Sequence, residues 1–427
     1  MAEHVSGRWA AVVLSGGALL AATACGGSGA DADGAESQIT LTIHTFGTFG
    51  YEALYEEFEA EHPKVTVEPR NTKFEDYTAQ LEKSLDEGSA DDVVAIEEGF
   101  MGAMRGRSDD FVDLRDYGAG SMAVNFLDWK WEGGMTADGK LIGLGTDMGS
   151  LAMCYRRDLF EQAGLPTDRE EVGALWETWD DFLATGETFM NSSVNAKFID
   201  TVTQVYNTRV MQGADHTYFD RQGNLVIESN PAIEEGWQFA VEMVEADLTA
   251  DVQVFTEAWT AGLQEGSFAV TTCPAWMLGQ IKEAAGPELY GAWDVASVPG
   301  GGGNWGGSWL AVPTQSEHPQ MAAELAKYLT RPEGQMAAFH AANNLPTSPQ
   351  ALEDAQVRAF TNPYFNNAPV GEIYASNAAE LQPVYLGVDH QPVRLMIEET
   401  LRAMDTGEMT PQEAWDHVVT QAEQEAN

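Results

Sequence analysis

The chain has 427 residues, with 67 Asp and Glu against 22 Lys and Arg, giving a formal net charge of −45. So acidic a surface repels polyanions and lacks basic patches, which excludes nucleic acid and phosphorylated ligands as partners. A hydrophobic content of 44% with 42 glycines is ordinary for a globular fold, and the ~400 residues beyond the first segment are too many for one core, which predicts two domains.

In chain order the first element is an export pattern. Residues 1–8 are polar with Arg8, and Trp9 to Ala24 are mostly small and apolar. That run is too short and glycine-rich for a membrane span, which needs ~20 apolar residues, but it fits the core of an export signal. It ends in LAATAC, Leu20 to Cys25. Small residues before a cysteine resemble a bacterial lipobox with Cys25 as the lipid carrier, although Ala22 stands where Leu is commonest. Plain secretion with cleavage near Ala24 is the alternative. The following GGSGADADGAESQ reads as a flexible tether. Residues 1–24 are therefore expected to be a signal peptide and 25–37 a lipid-anchored tether. That puts the protein on the outer face of the cell membrane, which it would touch only through its lipid. No later segment is apolar for long enough to span a bilayer.

Alternating strand and helix signals follow. Ile39 to His44 (ITLTIH) alternates as a strand does, and Phe46 to Gly50 is a glycine loop. Tyr51, Leu54, Tyr55 and Phe58 fall at helical spacing, and His62-Pro63 ends that helix. Val65 and Val67 resume a strand. Tyr77, Leu81 and Leu85 mark a second helix closed by Gly88, and Asp92 to Ile96 is a buried strand. This β-α-β-α-β order implies a parallel sheet with ligands at the carboxyl ends of its strands. Phe46 to Phe49 and Glu97 to Phe100 then share one rim. Residues 156–260 read as helix-rich, with a hairpin signal from Tyr218 to Ile227; Asp220 and Asn224 there suit a tight turn better than a metal loop. Met321 to His340 and Val393 to the C-terminus are again helical. Cysteine is sparse, at Cys25, Cys154 and Cys273. Cys154 and Cys273 pair in an oxidising compartment or stay as two buried thiols, and both readings are open.

Several segments together resemble the extracellular solute-binding proteins of the sugar-binding class, the group that includes maltose-binding protein. They are LYEEFEAEHPKVTV (Leu54 to Val67), GKLIGLGTDMGSLAMCYRRDLFEQAG (Gly139 to Gly164), LWETWDDF (Leu175 to Phe182), GSFAVTTCPAWM (Gly266 to Met277), and Gly306 to Gly334, from GGSWLAVP through LTRPEG. FGYEALYEEFE, GLGTDMGSLAMCYRRDLFEQAGLPTDREEV, NWGGSWLAVP and FNNAPVGEIY further resemble the cello-oligosaccharide-binding lipoproteins of actinobacteria. The resemblance implies an α/β periplasmic-binding-protein-like fold, with two domains, each a mainly parallel sheet flanked by helices, joined by a three-crossing hinge. The domains would be 38–152 plus 273–330, and 153–272 plus 331–427, with crossings at Gly149 to Cys154, Thr271 to Pro274 and Leu329 to Glu333. It implies a monomer that binds cellobiose or short β-1,4-glucans in the interdomain cleft and hands them to the permease subunits of an ABC importer, with no catalysis and no cofactor. It also sets Cys154 and Cys273 on neighbouring hinge strands, where a disulfide is possible. Xylo-, manno- or other gluco-oligosaccharides, or a secreted carbohydrate-active enzyme, are the alternatives.

A sugar ring needs aromatic faces for its C–H faces and directional polar partners for its hydroxyls. Among aromatics the candidates are Trp259, Trp276, Trp305 and Trp309, with Phe49 and Phe100 on the first rim; Trp415, on a stripe with Val418 and Val419, is expected to pack. Polar candidates are Glu98, preferred over Glu97, with Asp147, Asn207, Arg209 and Asn344. Gly301-x-Gly303-x-x-Gly306 matches a dinucleotide fingerprint but precedes a strand, Trp309 to Val312, where a helix is required. Glu97 and Glu98 are adjacent and point to opposite sides, unlike the facing carboxyls of a glycosidase. No metal-ligand spacing occurs among the eight His.

Overall fold

A computed structural model of the chain describes residues 38–213 and 215–425. The expected signal peptide, Cys25 and the tether lie outside these residues.

Apolar alternation at Leu41 and Ile43 builds the first strand, β1 (Ile39–Phe46), whose inward side chains are fully buried. β2 (Val65–Thr72) and β3 (Val93–Glu97) flank it in parallel. The helices between them carry the expected stripes. Leu54 and Phe58 face inward from Glu52–Glu61, and Tyr77, Leu81 and Leu85 from Phe74–Glu87. Gly88 ends the second helix in the left-handed region, φ 70°, which glycine takes without a Cβ penalty. β4 (Leu144–Gly145) and β9 (Ser308–Ala311) complete the first sheet in the order β2-β1-β3-β9-β4, with β9 antiparallel to both neighbours.

The second sheet runs β6-β7-β5-β8, from β5 (Met153–Arg156), β6 (Lys197–Ile199), β7 (Phe268–Thr272) and β8 (Trp293–Ala296). Only β6 and β7 are parallel. Both sheets are thus mixed: the parallel unit expected over residues 39–96 is present, and strands arriving from the hinge run against their neighbours. The hairpin signal at 218–227 yields a single antiparallel bridge, Phe219 to Leu225. The helical stretch 321–340 is two helices, Pro319–Thr330 and Pro332–Ala342, because Pro332 cannot continue the first.

The chain passes from the first sheet to the second over residues 146–152, between β4 and β5. It returns over 297–307, between β8 and β9, and not at Thr271 to Pro274. The strand beginning at Phe268 is followed by a helix, Met277–Ala285, and then by β8, which pairs with β5 in the second sheet. Residues 273–296 therefore belong with the second lobe. The dinucleotide-like glycines lie in this return, where Gly300 to Gly303, Gly306 and Gly307 all take positive φ. Cys154 and Cys273 form a disulfide with Cα atoms 5.5 Å apart. It joins β5 to the residue just beyond β7, inside the second lobe at the foot of the hinge.

Candidate functional site

The two crossing segments, 146–152 and 297–307, are stitched by backbone to one another and to Cys273 and Leu345 beside them. Met148 N donates to Leu345 O at 3.0 Å and Trp305 N to Gly149 O at 2.9 Å, while Ala152 and Cys273 exchange two bonds. A side chain at Gly149 would start 1.7 Å from Trp305 O, so only glycine allows this approach. Asn304 sits in the centre. Its Oδ1 accepts from Gly149 N at 2.9 Å, and its Nδ2 donates to Glu98 Oε2 at 2.6 Å.

Above that hinge the two lobes enclose a cleft. The first lobe contributes Glu97, Glu98 and Gly99. Glu97 ends β3 and caps the Glu98–Gly106 helix, its carboxylate accepting from Gly99 N at 2.8 Å. Both carboxylates therefore sit where strand becomes helix, and both line the cleft rather than pointing apart. The hinge contributes Asn304, Trp305 and Gly306. Trp276 holds Trp305 in place: its Nε1 donates to Trp305 O at 3.0 Å, and the two rings meet edge to face at 5.2 Å.

The second lobe supplies the opposite wall. Asn207, Val210 and Met211 come from the Val202–Gly213 helix, Thr217 and Tyr218 from the loop beyond it, and His390 and Arg394 from the His390–Asp405 helix. The His390 ring stacks on Tyr218 at 5.2 Å and 18°, with Thr217 Oγ1 2.8 Å from its Nδ1. Asn207 Nδ2 donates to Glu398 Oε1 at 2.7 Å, and Arg394 lies 3.4 Å from the same oxygen.

Charge in the cleft is governed by burial. Desolvation pushes the Glu97, Glu98 and Asp147 carboxyls up. Behind Glu98 lies Lys130, fully buried, its Nζ without a hydrogen-bond partner among the described residues and 3.5 Å over the Trp309 ring. Desolvation pulls this ammonium down, and the carboxylates of Glu98, Asp147 and Glu97 partly restore it. Burial drives His390 down to about 3, so the imidazole is neutral, with Arg394 adding to the effect. Arg394 itself is held up by Glu398 and, across the cleft, by Glu97 and Glu98, against the cost of its burial.

The lobes touch along one side. Arg105 Nη2 donates to Leu386 O at 3.0 Å, and Gly102 packs against the Gly387 carbonyl. The enclosed space is only about 30 Å³, far below the ~300–1,000 Å³ of small-molecule pockets. The two lobes are therefore closed on one another.

Of the eleven residues singled out from the sequence, Glu98, Asn207 and Trp305 line this cleft, and Trp276 buttresses Trp305. The others lie elsewhere for specific reasons. Trp309 is on β9 with its ring in the first core, donating to Lys130 O at 3.0 Å. Trp259 is fully buried in the second lobe and donates to Asp200 Oδ2 at 3.0 Å. Phe49 packs edge-on against Phe46 in the first core. Asp147 is a hinge clasp, accepting from Ser308 N at 3.0 Å and Thr146 Oγ1 at 2.6 Å. Asn344, next to the Leu345 that bonds Met148, holds the 48–49 loop by donating to Thr48 O and Phe49 O. Arg209, in the same turn as Asn207 and Val210, lies on another face of that helix, over Phe239 at 4.6 Å and Trp179 at 5.7 Å. Phe100 follows the rim residues but does not line the cleft. The sequence signal missed Tyr218, His390 and Arg394. Tyr218 falls within the hairpin pattern at 218–227, and nothing local marks the other two. No cluster of three or more His, Cys, Asp or Glu among the described residues could hold a metal ion.

A family model for bacterial extracellular solute-binding proteins matches residues 53–363. A crystal structure of an extracellular solute-binding protein of family 1 is 39% identical, with a TM-score of 0.81 over 91% of this chain and 100% of that one. The binding protein of B. animalis subsp. lactis in complex with β-1,6-galactobiose shares the fold, with a TM-score of 0.76 at 19% identity over 91% of this chain and 98% of that one. Among curated proteins, the arabinooligosaccharide-binding protein of Halalkalibacterium halodurans is 26% identical over 45% of this chain and 44% of its own length. The chain thus spans less than half of that relative. The arabinooligosaccharide-binding protein of Bacillus subtilis is 22% identical over 67% of this chain and 68% of its own.

Proposed function

Because the chain belongs to the bacterial extracellular solute-binding proteins, a family of non-catalytic binders, we propose that it captures an oligosaccharide between its lobes and delivers it to the permease of an ABC importer. The observation that carries this reading is the composition of the cleft. Trp305 and Tyr218 offer ring surface, and Glu97, Glu98, Asn207 and Asn304 offer directional polar groups. Apolar faces with few placed hydrogen-bonding groups suit a neutral sugar.

Entry requires the Arg105 to Leu386 contact to part, with the backbone change absorbed in residues 146–152 and 297–307. The space of about 30 Å³ between the lobes leaves no room for a sugar ring, so ligand favours closure only by binding better a closed form that holds the lobes further apart than this one. Within the saccharides, the segments resembling cello-oligosaccharide-binding lipoproteins favour cellobiose or a short β-1,4-glucan. The arabinooligosaccharide and galactobiose ligands of the relatives keep other neutral oligosaccharides as alternatives. A lipid on Cys25 would hold the monomer beside its permease and raise its effective concentration there.

A thermal-shift screen tests this, since a ligand that binds only the folded state raises the melting temperature. Cellobiose or cellotriose should raise it, and xylobiose should not. A shift with another neutral oligosaccharide alone would replace the β-glucan; silence across all of them would end the saccharide reading. Trp305→Ala should weaken binding by ~10-fold, the loss of one aromatic stacking partner.

A further inference from the structure

On the outer face of the second lobe lies another hollow, of about 350 Å³, within the ~300–1,000 Å³ range of small-molecule pockets. It forms where the Pro231–Glu245 and Pro411–Glu425 helices begin beside one another. Trp237 and Trp415 make its apolar walls, their ring centroids 5.2 Å apart and their planes inclined by 56°. Glu228, Glu234, Gln238 and Gln412 make its polar rim. None of these residues lines the cleft. The two helices pack on the outside of Val202–Gly213 and His390–Asp405, whose other side faces the cleft.

The chemistry of this hollow is balanced. Trp415 packs on the core as its stripe with Val418 and Val419 predicts, but it stays half-buried and, leaning on the buried Trp237, offers ring surface to a sugar's C–H face. Two carboxylates and two carboxamides offer acceptors and donors to hydroxyls. No Lys or Arg among the described residues lines it, which disfavours an anion. Both helices start at it, and their positive ends offset the carboxylates, which weakens the case for a cation. We propose that this hollow is a second saccharide site, taking a neutral mono- or disaccharide independently of the cleft.

Titration calorimetry of the full chain with cellobiose, carried to ~50 mM to reach a weak site, should show a tight class from the cleft and a weak class from the hollow. Trp415→Ala should weaken the weak class by ~10-fold or more and leave the tight one unchanged. Trp415→Phe, which keeps a ring, should restore most of it. Trp305→Ala should do the reverse. The absence of a weak class with cellobiose, xylobiose and mannobiose, or a weak class indifferent to Trp415→Ala, would overturn the proposal. Tetramethylammonium binding at Trp415 without saccharide binding would overturn it too, by making the hollow a cation cage. Should the cleft take none of these sugars, only the tight class disappears, so the two failures are separable.

Discussion

The first lobe meets the cleft with charge, Glu97 and Glu98 backed by Lys130 and Asp147, whereas the second meets it with rings and amides, Tyr218, His390 and Asn207, and a cation at Arg394. The first face is assembled from a few consecutive residues at the end of β3. The second is assembled from helices far apart in the chain, as the Asn207 to Glu398 bond across 191 positions shows. The contrast is electrostatic as well as topological. On the first face, buried charges hold one another in place. On the second, a neutral His390 and a hydrogen-bonded Asn207 leave Arg394 to face the carboxylates opposite.

Removing Lys130 should break the first face most severely. In Lys130→Met the carboxylates of Glu98 and Asp147 lose their buried counter-charge, and stability should fall by ~3–5 kcal/mol, measured by denaturant unfolding. A stability unchanged from the natural protein would mean that the charges are not held as a set.

The second face is open to attack by acid. The value of His390 in the folded chain, about 3, lies below the unfolded 6.5. As pH falls, the unfolded chain takes up this proton first, so the stabilising contribution is full above about 6.5 and is lost as pH drops toward 3. Between pH 6.5 and 5 this amounts to roughly 2 kcal/mol. Asp200, pushed up to about 7 by burial, contributes with the opposite sign, so the comparison must be with a variant. His390→Gln should show a shallower loss of melting temperature over that interval; an identical slope would remove His390 from the account.

The attraction between the faces should be the smallest effect. Arg394→Gln should weaken saccharide binding by ~10-fold, about 1.4 kcal/mol, and reduce its sensitivity to salt. Equal affinity in both proteins would show that closure does not depend on charge across the cleft.

Part of this was legible locally. Alternation at 39–43, the helical stripes at 51–58 and 77–85, and the buried run at 92–96 give the first lobe's order, because each depends on neighbours within a few residues. The Glu97–Glu98 rim follows from that order. The tryptophans were not separable in the same way. Trp305 and Trp309 both flank the glycines of one loop, yet Trp309 falls on β9 and turns its indole into the core, while Trp305 stays in the hinge. The pairing of β8 with β5, which moves the return crossing to 297–307, likewise involves strands more than 130 residues apart, a separation that no local pattern reports.

The sequence by itself determined the acidic character, the α/β order of the first lobe and the likeness to solute-binding proteins, since composition, periodicity and ordered segments need no knowledge of distant contacts. Only the tertiary structure decided which rings face the cleft, which carboxylates are buried over Lys130, and that His390 and Arg394 stand opposite Glu97 and Glu98. Those properties arise from desolvation and packing between segments that meet only when the chain is folded.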